Sequence, residues 1–136
     1  MKKILWIALL FILLIAGVGV YLFNMAPTST IGNQSVDVDM NAAVLYKTYS
    51  ADEMAGNKKY IGKILLTEGE ITEISKDEMG APVLLLEAGT APGGVLCTFG
   101  KGEDLSQLKV GDKVKVKGQC TGMLMDVVLN KCVLEQ

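Results

Sequence analysis

The sequence predicts a mainly β protein: a small five-stranded Greek-key barrel, preceded by an α-helical segment and an N-terminal transmembrane helix. Three observations support this prediction. An uncharged apolar run opens the chain, from Ile4 to Phe23. Apolar residues then recur at helical spacing between Val38 and Tyr49. From about Tyr60 onward the apolar period changes to two, which is typical of strands.

The first apolar run has the length of a membrane-spanning helix. About 20 apolar residues are needed to cross the hydrocarbon core of a bilayer, so residues 1–23 are interpreted as a transmembrane anchor. A cleaved signal peptide is the alternative. Its apolar region usually has only about 7–15 residues and ends at a small-x-small cleavage site. The segment "NMAP" fits such a site poorly, and no cysteine for lipid attachment lies nearby.

Charged and aromatic residues set the expected orientation of this anchor. Lys2 and Lys3 should stay on the cytoplasmic side, since no lysine follows until Lys47. Trp6 and Tyr21 lie near the two ends of the run, where aromatic residues contact the membrane interface. We therefore expect a single-pass protein of the inner membrane whose C-terminal part lies in the periplasm.

A linker and a helical segment are predicted after the anchor. Residues 24–36 are polar and contain Pro, Gly, Ser and Thr, which is typical of a flexible linker. Residues 37–58 are predicted to be helical. Asp37 or Asp39 can cap the start of this segment, and "SADE" (Ser50–Glu53) has the pattern of a capping box. One kinked helix or two successive helices are both consistent with an apolar stripe of four residues: Val38, Ala42, Leu45 and Tyr49.

Residues 59–136 are predicted to form the barrel, because short alternating segments are separated by turn residues. Gly69 lies inside the first of these segments, where a glycine usually marks the bend of a barrel strand. The last segment keeps its alternation only with a bulge at Asn130–Lys131. The five predicted strands are Lys63–Ile74, Val83–Ala88, Val95–Phe99, Lys113–Cys120 and Asp126–Glu135.

The strand pattern favours the oligonucleotide/oligosaccharide-binding (OB) barrel, which has five strands in Greek-key order. Residues 102–112 are expected to form a short helical turn before the fourth strand, with Leu105 and Leu108 facing inward. A five-stranded SH3-like barrel is the main alternative. The fourth strand alternates most regularly, so its lysines should face water: Lys113, Lys115 and Lys117.

The three cysteines permit more than one interpretation. Buried cysteine behaves as a small apolar residue, and Cys97, Cys120 and Cys132 each continue an apolar strand face, so core packing is favoured. A disulfide is allowed outside the cytoplasm. Cys120 and Cys132 would lie about 20 Å apart on a hairpin. Cys97 and Cys132 are on strands that can be neighbours in an OB barrel, which makes them the pairing to consider.

Soft-metal binding is a further alternative. Met123 and Met125 follow Cys120 closely, and thioethers and thiolates are suitable ligands for Cu(I). However, the chain contains no histidine, and the spacing matches no standard ligand pattern. No metal and no other cofactor is therefore predicted.

The composition argues against catalysis and against nucleic acid as a ligand. Without histidine, the commonest general base is absent, so no catalytic residue is predicted. Beyond the first two lysines, 11 lysines stand against 15 acidic residues, and there is no arginine. If the barrel binds an anionic ligand, the candidate residues are Tyr60, for stacking, and the lysine row Lys113, Lys115 and Lys117.

Several segments, in this order, resemble the bacterial tRNA_anti-like family of exported OB-fold domains. They are "NKKYIGK" (Asn57–Lys63), Gly69, "VLCTF" (Val95–Phe99), "LKVGDKVKVKGQCTG" (Leu108–Gly122) and "DVVLNKCVL" (Asp126–Leu134). The resemblance covers about residues 42–134 and implies an OB fold and export. The family name suggests nucleic-acid binding only by analogy between folds.

We therefore expect a membrane-anchored, extracytoplasmic, non-enzymatic binding module. Its expected partners are the membrane and an envelope protein, the latter recognised at the barrel face formed by the first three predicted strands. Weak binding of nucleic acid or another anionic polymer is the first alternative, and Cu(I) binding is the second.

Overall fold

The computed structural model describes residues 1–24, 31–89 and 92–135. It begins with a long helix, continues with a 3-10 turn, a short strand and two shorter helices, and ends with five longer strands. In chain order the elements are α1 (Lys2–Asn24), a 3-10 turn (Ile31–Asn33), β1 (Val38–Asn41), α2 (Ala42–Ala51), α3 (Glu53–Tyr60), β2 (Ile64–Lys76), β3 (Pro82–Glu87), β4 (Gly94–Phe99), β5 (Lys113–Met123) and β6 (Val127–Glu135).

Strands β2 to β6 close into a five-stranded barrel. The hydrogen-bonded order is β1-β2-β3-β4-β6-β5, and a further pairing of β2 with β5 closes the ring. This is the predicted OB topology, in which the last strand lies between the third and the fourth. Four of the five predicted strands lie within two residues of their observed ends. The fourth is longer than expected, because β5 runs on to Met123.

The long first barrel strand pairs with two different strands and bends between them, as its central glycine predicted. Strand β2 pairs with β5 over residues 64–70 and with β3 over residues 71–76. A Cβ on Gly69 would lie only 3.1 Å from the Cβ atoms of Ala42 and Leu86. A side chain at this bend would be tightly packed against α2 and β3, so glycine favours the close approach of the three elements.

Helix α1 matches the predicted apolar segment. Lys2–Leu22 has a mean hydropathy of 2.7 and is not buried against the rest of the protein. Lys2 and Lys3 lie at its start, with Trp6 one turn further on and Tyr21 near its end, and all four side chains are exposed. The helix is long and apolar enough to cross a membrane, and a signal sequence would share these properties.

The predicted start of the helical segment is wrong. Val38–Asn41 is a strand that pairs in parallel with the first half of β2. Asn41 rather than an aspartate caps α2, since its side chain accepts a hydrogen bond from the amide of Ala43 at 2.8 Å. Asp37 instead accepts from the amide of Ile64 at 2.8 Å, which fixes the start of β2.

The capping box expected at "SADE" is also wrong in detail. Helix α2 ends at Ala51, and Asp52 caps α3 by accepting from the amide of Ala55 at 3.0 Å. Aspartate is as good an N-cap as serine, and Asp52, two residues after Ser50, directly precedes the first residue of α3. Two successive helices therefore form, which was one of the two expected arrangements, and the second extends to Tyr60.

Part of the predicted linker is ordered against the barrel. Ile31–Asn33 forms a 3-10 turn, and the side chain of Ile31 is 2% exposed. This turn packs on β5 and β6. Residues 25–30, in the first half of the predicted linker, lie outside the described residues.

The helical turn expected before the fourth strand does not form. Residues 102–112 follow a series of turns instead, although Leu105 is buried as predicted and Leu108 packs against the core. Asp104 accepts from the amide of Ser106 at 2.9 Å, and Asp112 accepts from the amide of Lys109 at 2.9 Å. These side chains satisfy the amides that a helix would otherwise use.

The bulge predicted in the last strand is present. Lys131 has a φ angle of 55°, and β6 contains one extra residue relative to both of its neighbours at this point. The bulge returns Cys132 to the inner face, where it is 1% exposed. The main core combines this side chain with residues of both α2 and the barrel, including Leu45, Tyr49, Leu65, Leu84, Leu86, Val95, Val116 and Leu129.

Candidate binding surface

Tyr60 is part of the core. Its side chain is 3% exposed, and its ring centroid lies 6.1 Å from that of Tyr49 at an interplanar angle of 38°. The ammonium of Lys59 lies 5.2 Å from the Tyr60 ring centroid. A base cannot stack on a ring buried in this way, so the expectation that Tyr60 offers a stacking surface is wrong.

Lys113 and Lys115 are exposed on the outer face of β5, as predicted, but acidic residues lie opposite them. Lys115 is paired across the sheet with Glu68, and Lys113 with Glu70. The ammonium of Lys115 lies 3.8 Å from the Glu68 carboxylate, and both side chains are half exposed. Phosphate binding at these lysines would have to compete with carboxylates already in place.

A cleft of about 590 Å³ adjoins these lysines, and its charges are mixed. Its charged lining residues are three acids and two lysines, and its apolar ones include Leu108, Val114 and Leu134. The carboxylates therefore outnumber the ammonium groups, which does not favour an anionic ligand. The charged set is Glu68, Asp104, Glu135, Lys113 and Lys115.

Lys117 does not face water, which corrects the alternation predicted for the fourth strand. The residue is 5% exposed. Its ammonium donates to the carbonyls of Gly32 at 2.9 Å and Gln34 at 3.1 Å, and lies 2.9 Å from Oε1 of Glu135. The segment around the 3-10 turn covers the lysine, so Lys117 holds that segment on the barrel and is not available to a ligand.

The three cysteines are buried free thiols, which confirms that they belong to the core. Cys97, Cys120 and Cys132 are all 0–1% exposed. Burial raises the pKa of the Cys132 thiol well above its usual range, and the neighbouring Cys97 thiol adds to this rise. Cys120 lies 3.3 Å from the hydroxyl of Tyr49. Because all three thiols are shielded from solvent, they are poorly placed to act as nucleophiles or metal ligands.

The two methionines that suggested a copper site, Met123 and Met125, lie in different environments. Met123 packs against the core, whereas Met125 is 84% exposed at the tip of the β5–β6 hairpin. Among the residues that the structure describes, no three His, Cys, Asp or Glu side chains are grouped so that they could hold a metal ion. Cys120 is buried whereas Met125 is exposed at the hairpin tip, so these two side chains do not form one site.

An aliphatic row crosses the outer face of the barrel. Leu85 on β3 is paired with Leu96 on β4, and Leu96 is paired with Val128 on β6. Residues paired across strands share one face of a sheet, and all three side chains are only half buried. The inward-facing neighbours Leu84 and Leu86 are 0% exposed. We call Leu85, Leu96 and Val128 the aliphatic row.

A second apolar region lies where α3 meets the β5–β6 hairpin. A cleft of about 290 Å³ separates them and is lined by Asn57 and Ile61 from α3 and its C-terminal cap, and by Thr121, Gly122, Met123, Leu124 and Val128 from the hairpin. The Oδ1 atom of Asn57 is buried there without a hydrogen-bond partner. Since Val128 lines this cleft, the region is continuous with the aliphatic row.

The sequence did not predict the aliphatic row or the apolar cleft, because its row of lysines suggested a charged binding surface instead. Leu85 and Leu96 lie within continuous apolar segments, "VLLLEA" and "VLCTF", where both strand faces are apolar. A strand of an exposed sheet usually alternates apolar with polar residues. The loss of alternation in two neighbouring strands was the signal available for an apolar outer face.

Comparisons with known proteins agree with this architecture. The family model described as tRNA_anti-like matches residues 1–134. Among solved structures, a putative nucleic acid-binding lipoprotein from Klebsiella pneumoniae subsp. pneumoniae MGH 78578 is similar, with a TM-score of 0.60 and 16% sequence identity. The similarity covers 71% of this chain and 92% of that one. A comparison with curated proteins finds no match.

The structural similarity supports the OB barrel, and the family model spans almost the whole chain, including the apolar N-terminal helix. The protein belongs to the tRNA_anti-like family of OB-fold proteins.

Proposed function

We propose that this protein is a non-enzymatic interaction module of the cell envelope. Helix α1 remains as an uncleaved anchor in the inner membrane, and the barrel lies on the periplasmic side. There it binds an envelope protein through the barrel face formed by β2, β3 and β4. The aliphatic row is the observation that carries this proposal, because it places half-exposed leucines on the face that OB barrels commonly use for ligands.

The chemistry of this face favours a protein partner with apolar side chains. Leu85 and Leu96 offer aliphatic surface, whereas Lys113 and Lys115 lie on β5, opposite acidic residues. A surface of half-buried aliphatic side chains resembles the apolar core of a protein interface.

The experiment is site-specific photocrosslinking in intact cells with the full-length protein. A photoreactive residue replacing Leu96 should give a defined protein adduct. The same residue replacing Val44, an exposed position on α2 (54% exposed) outside this face, should not. The adduct should disappear in a Leu85→Asp background. Equal adducts from both positions, or none from Leu96, would contradict the proposal for this face.

The anchor is tested separately by membrane fractionation. An uncleaved anchor predicts that the whole chain stays in the membrane after alkaline extraction and that protease added to spheroplasts digests the barrel. A shortened soluble product would support the signal-peptide alternative, and a protected barrel would contradict the periplasmic location.

A second candidate function is weak binding of nucleic acid or another anionic polymer. The similar Klebsiella structure, described as a putative nucleic acid-binding lipoprotein, suggests it. Only Lys113 and Lys115 of the predicted ligand residues remain exposed, and both lie opposite carboxylates. Such binding would depend steeply on salt. A titration with single-stranded oligonucleotides at low ionic strength tests it, and absence of binding there would exclude it.

A further inference from the structure

A group of exposed apolar side chains is concentrated at one end of the barrel. Leu124 and Met125 at the tip of the β5–β6 hairpin are 88% and 84% exposed. Met54 and Ile61, on or next to α3, are 72% and 50% exposed. Residues 54, 57 and 61 share one side of a helix, and Asn57 and Ile61 line the cleft shared with Leu124. We call Met54, Ile61, Leu124 and Met125 the apolar end.

We propose that the apolar end rests on the surface of the lipid bilayer, with Leu124 and Met125 inserted at the level of the headgroups. This inference rests on the proposed function, because it requires α1 to remain as the membrane anchor. It extends that proposal by assigning the barrel a defined orientation relative to the membrane.

The length of the chain between α1 and the barrel is the first argument. Helix α1 ends at Asn24, and Ile31 is already buried against β5 and β6. A chain of this length spans at most about 25 Å when fully extended. The site where Ile31 packs therefore cannot be farther than this from the end of the anchor, and the barrel must lie close to the bilayer.

The position of the hairpin tip within this range is the second argument. Lys117, which holds the segment around Ile31, is on the same strand as Met123 at the base of the tip. Six residues of a strand correspond to about 20 Å. The apolar end therefore lies about 20 Å from the point on the barrel that is held within about 25 Å of the anchor, and these distances are compatible with contact between the apolar end and the bilayer.

The charges at the two ends of the barrel differ in the direction that an anionic bilayer favours. Lys58, Lys59 and Lys63 are exposed beside the apolar end. The neighbouring acids are Asp52, which caps α3, Glu53, and Asp126, which accepts from the amide of Gly94 at 2.7 Å, so three lysines and three acids balance at this end. Basic residues beside apolar side chains are the usual composition of a surface that binds anionic lipids.

The opposite end of the barrel is less suited to the same contact. Its β2–β3 turn exposes Met79 (73%), but Asp77 and Glu78 come directly before it. Glu103 and Asp104 line the cleft that adjoins this turn together with Lys76 and Lys101, so four acids stand against two lysines at this end. Anionic headgroups would repel these carboxylates, so this end should face away from the membrane.

The test uses the full-length protein in vesicles of phosphatidylethanolamine and phosphatidylglycerol. An environment-sensitive fluorophore is attached to a Leu124→Cys variant, and to a Met79→Cys variant as the matched control at the opposite end. The native thiols are 0–1% exposed, so labelling should be restricted to the introduced cysteine. Labelled wild-type protein measures any background.

The fluorophore at position 124 should show blue-shifted emission and should be quenched by nitroxide-labelled lipids, whereas the fluorophore at position 79 should show neither effect. A Leu124→Asp, Met125→Asp variant labelled through Ile61→Cys should lose the quenching seen with Ile61→Cys alone. Both substituted side chains are highly exposed, so the fold should be retained, which circular dichroism can verify.

The outcomes separate this inference from the proposed anchor. Protein that does not float with the vesicles contradicts the anchor and this inference together. Protein that floats but shows equal quenching at positions 124 and 79 leaves the anchor in place and overturns the contact. A blue shift that persists in detergent without lipid quenching indicates a protein contact, such as a second copy, and also overturns it.

Discussion

The ammonium of Lys117 lies 2.9 Å from Oε1 of Glu135, inside a contact that joins β5, β6 and the segment following the anchor. The same ammonium donates to the carbonyls of Gly32 and Gln34. A lysine has three N–H groups, so each of them has an acceptor here. This lysine is thus a structural residue, although its position in an alternating strand suggested a ligand contact.

Replacing Lys117 with alanine should lower the free energy of unfolding by about 1–3 kcal/mol, because two backbone carbonyls lose their partner. Lys115→Ala is the control. Its ammonium is half exposed and 3.8 Å from Glu68, so a loss of about 0.5 kcal/mol or less is expected. Urea unfolding of the detergent-solubilised protein, followed by circular dichroism, measures both. Equal losses would show that Lys117 has no special role.

Local sequence patterns predicted the barrel strands well, because each strand and bend is marked by residues that lie within a few positions of it. Gly69 in a long strand and the phase change at Asn130–Lys131 both indicated features that the structure contains. A change of the apolar period is visible within a few residues. A glycine inside a strand likewise indicates a position where neighbouring elements pack closely, because it has no Cβ atom. The strand order then follows from the small number of ways in which five strands can close.

Patterns failed where a distant segment or a competing side chain decided the structure. Val38 fitted a helical stripe, but a segment of four residues fits either period, and β1 forms by pairing with β2. The burial of Lys117 depends on Gly32, which is 85 residues away in the chain. The spacing of Leu105 and Leu108 predicted a helical turn. Turns form instead because the Asp104 carboxylate accepts a hydrogen bond from a backbone amide that a helix would use.

Gly118 is required by close packing against β6. A Cβ at this position would lie 2.6 Å from Sγ of Cys132 and 2.9 Å from the Cβ of Leu129. Gly118→Ala should therefore destabilise the barrel by about 1–3 kcal/mol, the usual cost of overpacking a core. Gly100→Ala is the matched control, since nothing lies within 4 Å of its added Cβ. The same unfolding measurement applies, and similar values for the two variants would contradict the packing argument.

Thr67 offers a substitution that should increase stability. The residue is 0% exposed, and its hydroxyl has no hydrogen-bond partner. Thr67→Val keeps the shape and removes the unsatisfied group, so a gain of about 1 kcal/mol is expected. In the control Thr121→Val, the hydroxyl that donates to the carbonyl of Val128 at 3.2 Å is lost, and no gain should occur. A lower stability of Thr67→Val would indicate that a buried water pairs with the hydroxyl.

The cysteines provide a direct check on the alternative of a Cys97–Cys132 disulfide. Protein purified without reductant should show no thiol that reacts with an aromatic disulfide reagent while folded, because all three thiols are buried and shielded from the reagent. After unfolding in denaturant, three thiols should react. A count of one would establish that two cysteines are joined in the isolated protein.

Alkaline pH should destabilise the protein through two buried acids. Burial raises the pKa of the Tyr49 phenol well above its usual range, and the hydrogen bond to Cys120 adds to this rise. Burial likewise raises the pKa of the Cys132 thiol well above its usual range. In both cases the folded protein retains a proton that the unfolded chain releases. The stabilisation is therefore complete below pH 9 and declines as the pH rises.

Tyr49 and Cys132 should leave the free energy of unfolding nearly unchanged between about pH 7 and pH 8.5. Above pH 9 it should fall by up to about 1.4 kcal/mol per pH unit for Cys132, and above pH 10 the slope should steepen as Tyr49 adds a similar amount. Urea unfolding at closely spaced pH values measures the slope. In Tyr49→Phe the protein is less stable at neutral pH, because the contact with Cys120 is lost. The additional slope above pH 10 should nevertheless disappear, and its persistence in this variant would assign the alkaline transition to other groups.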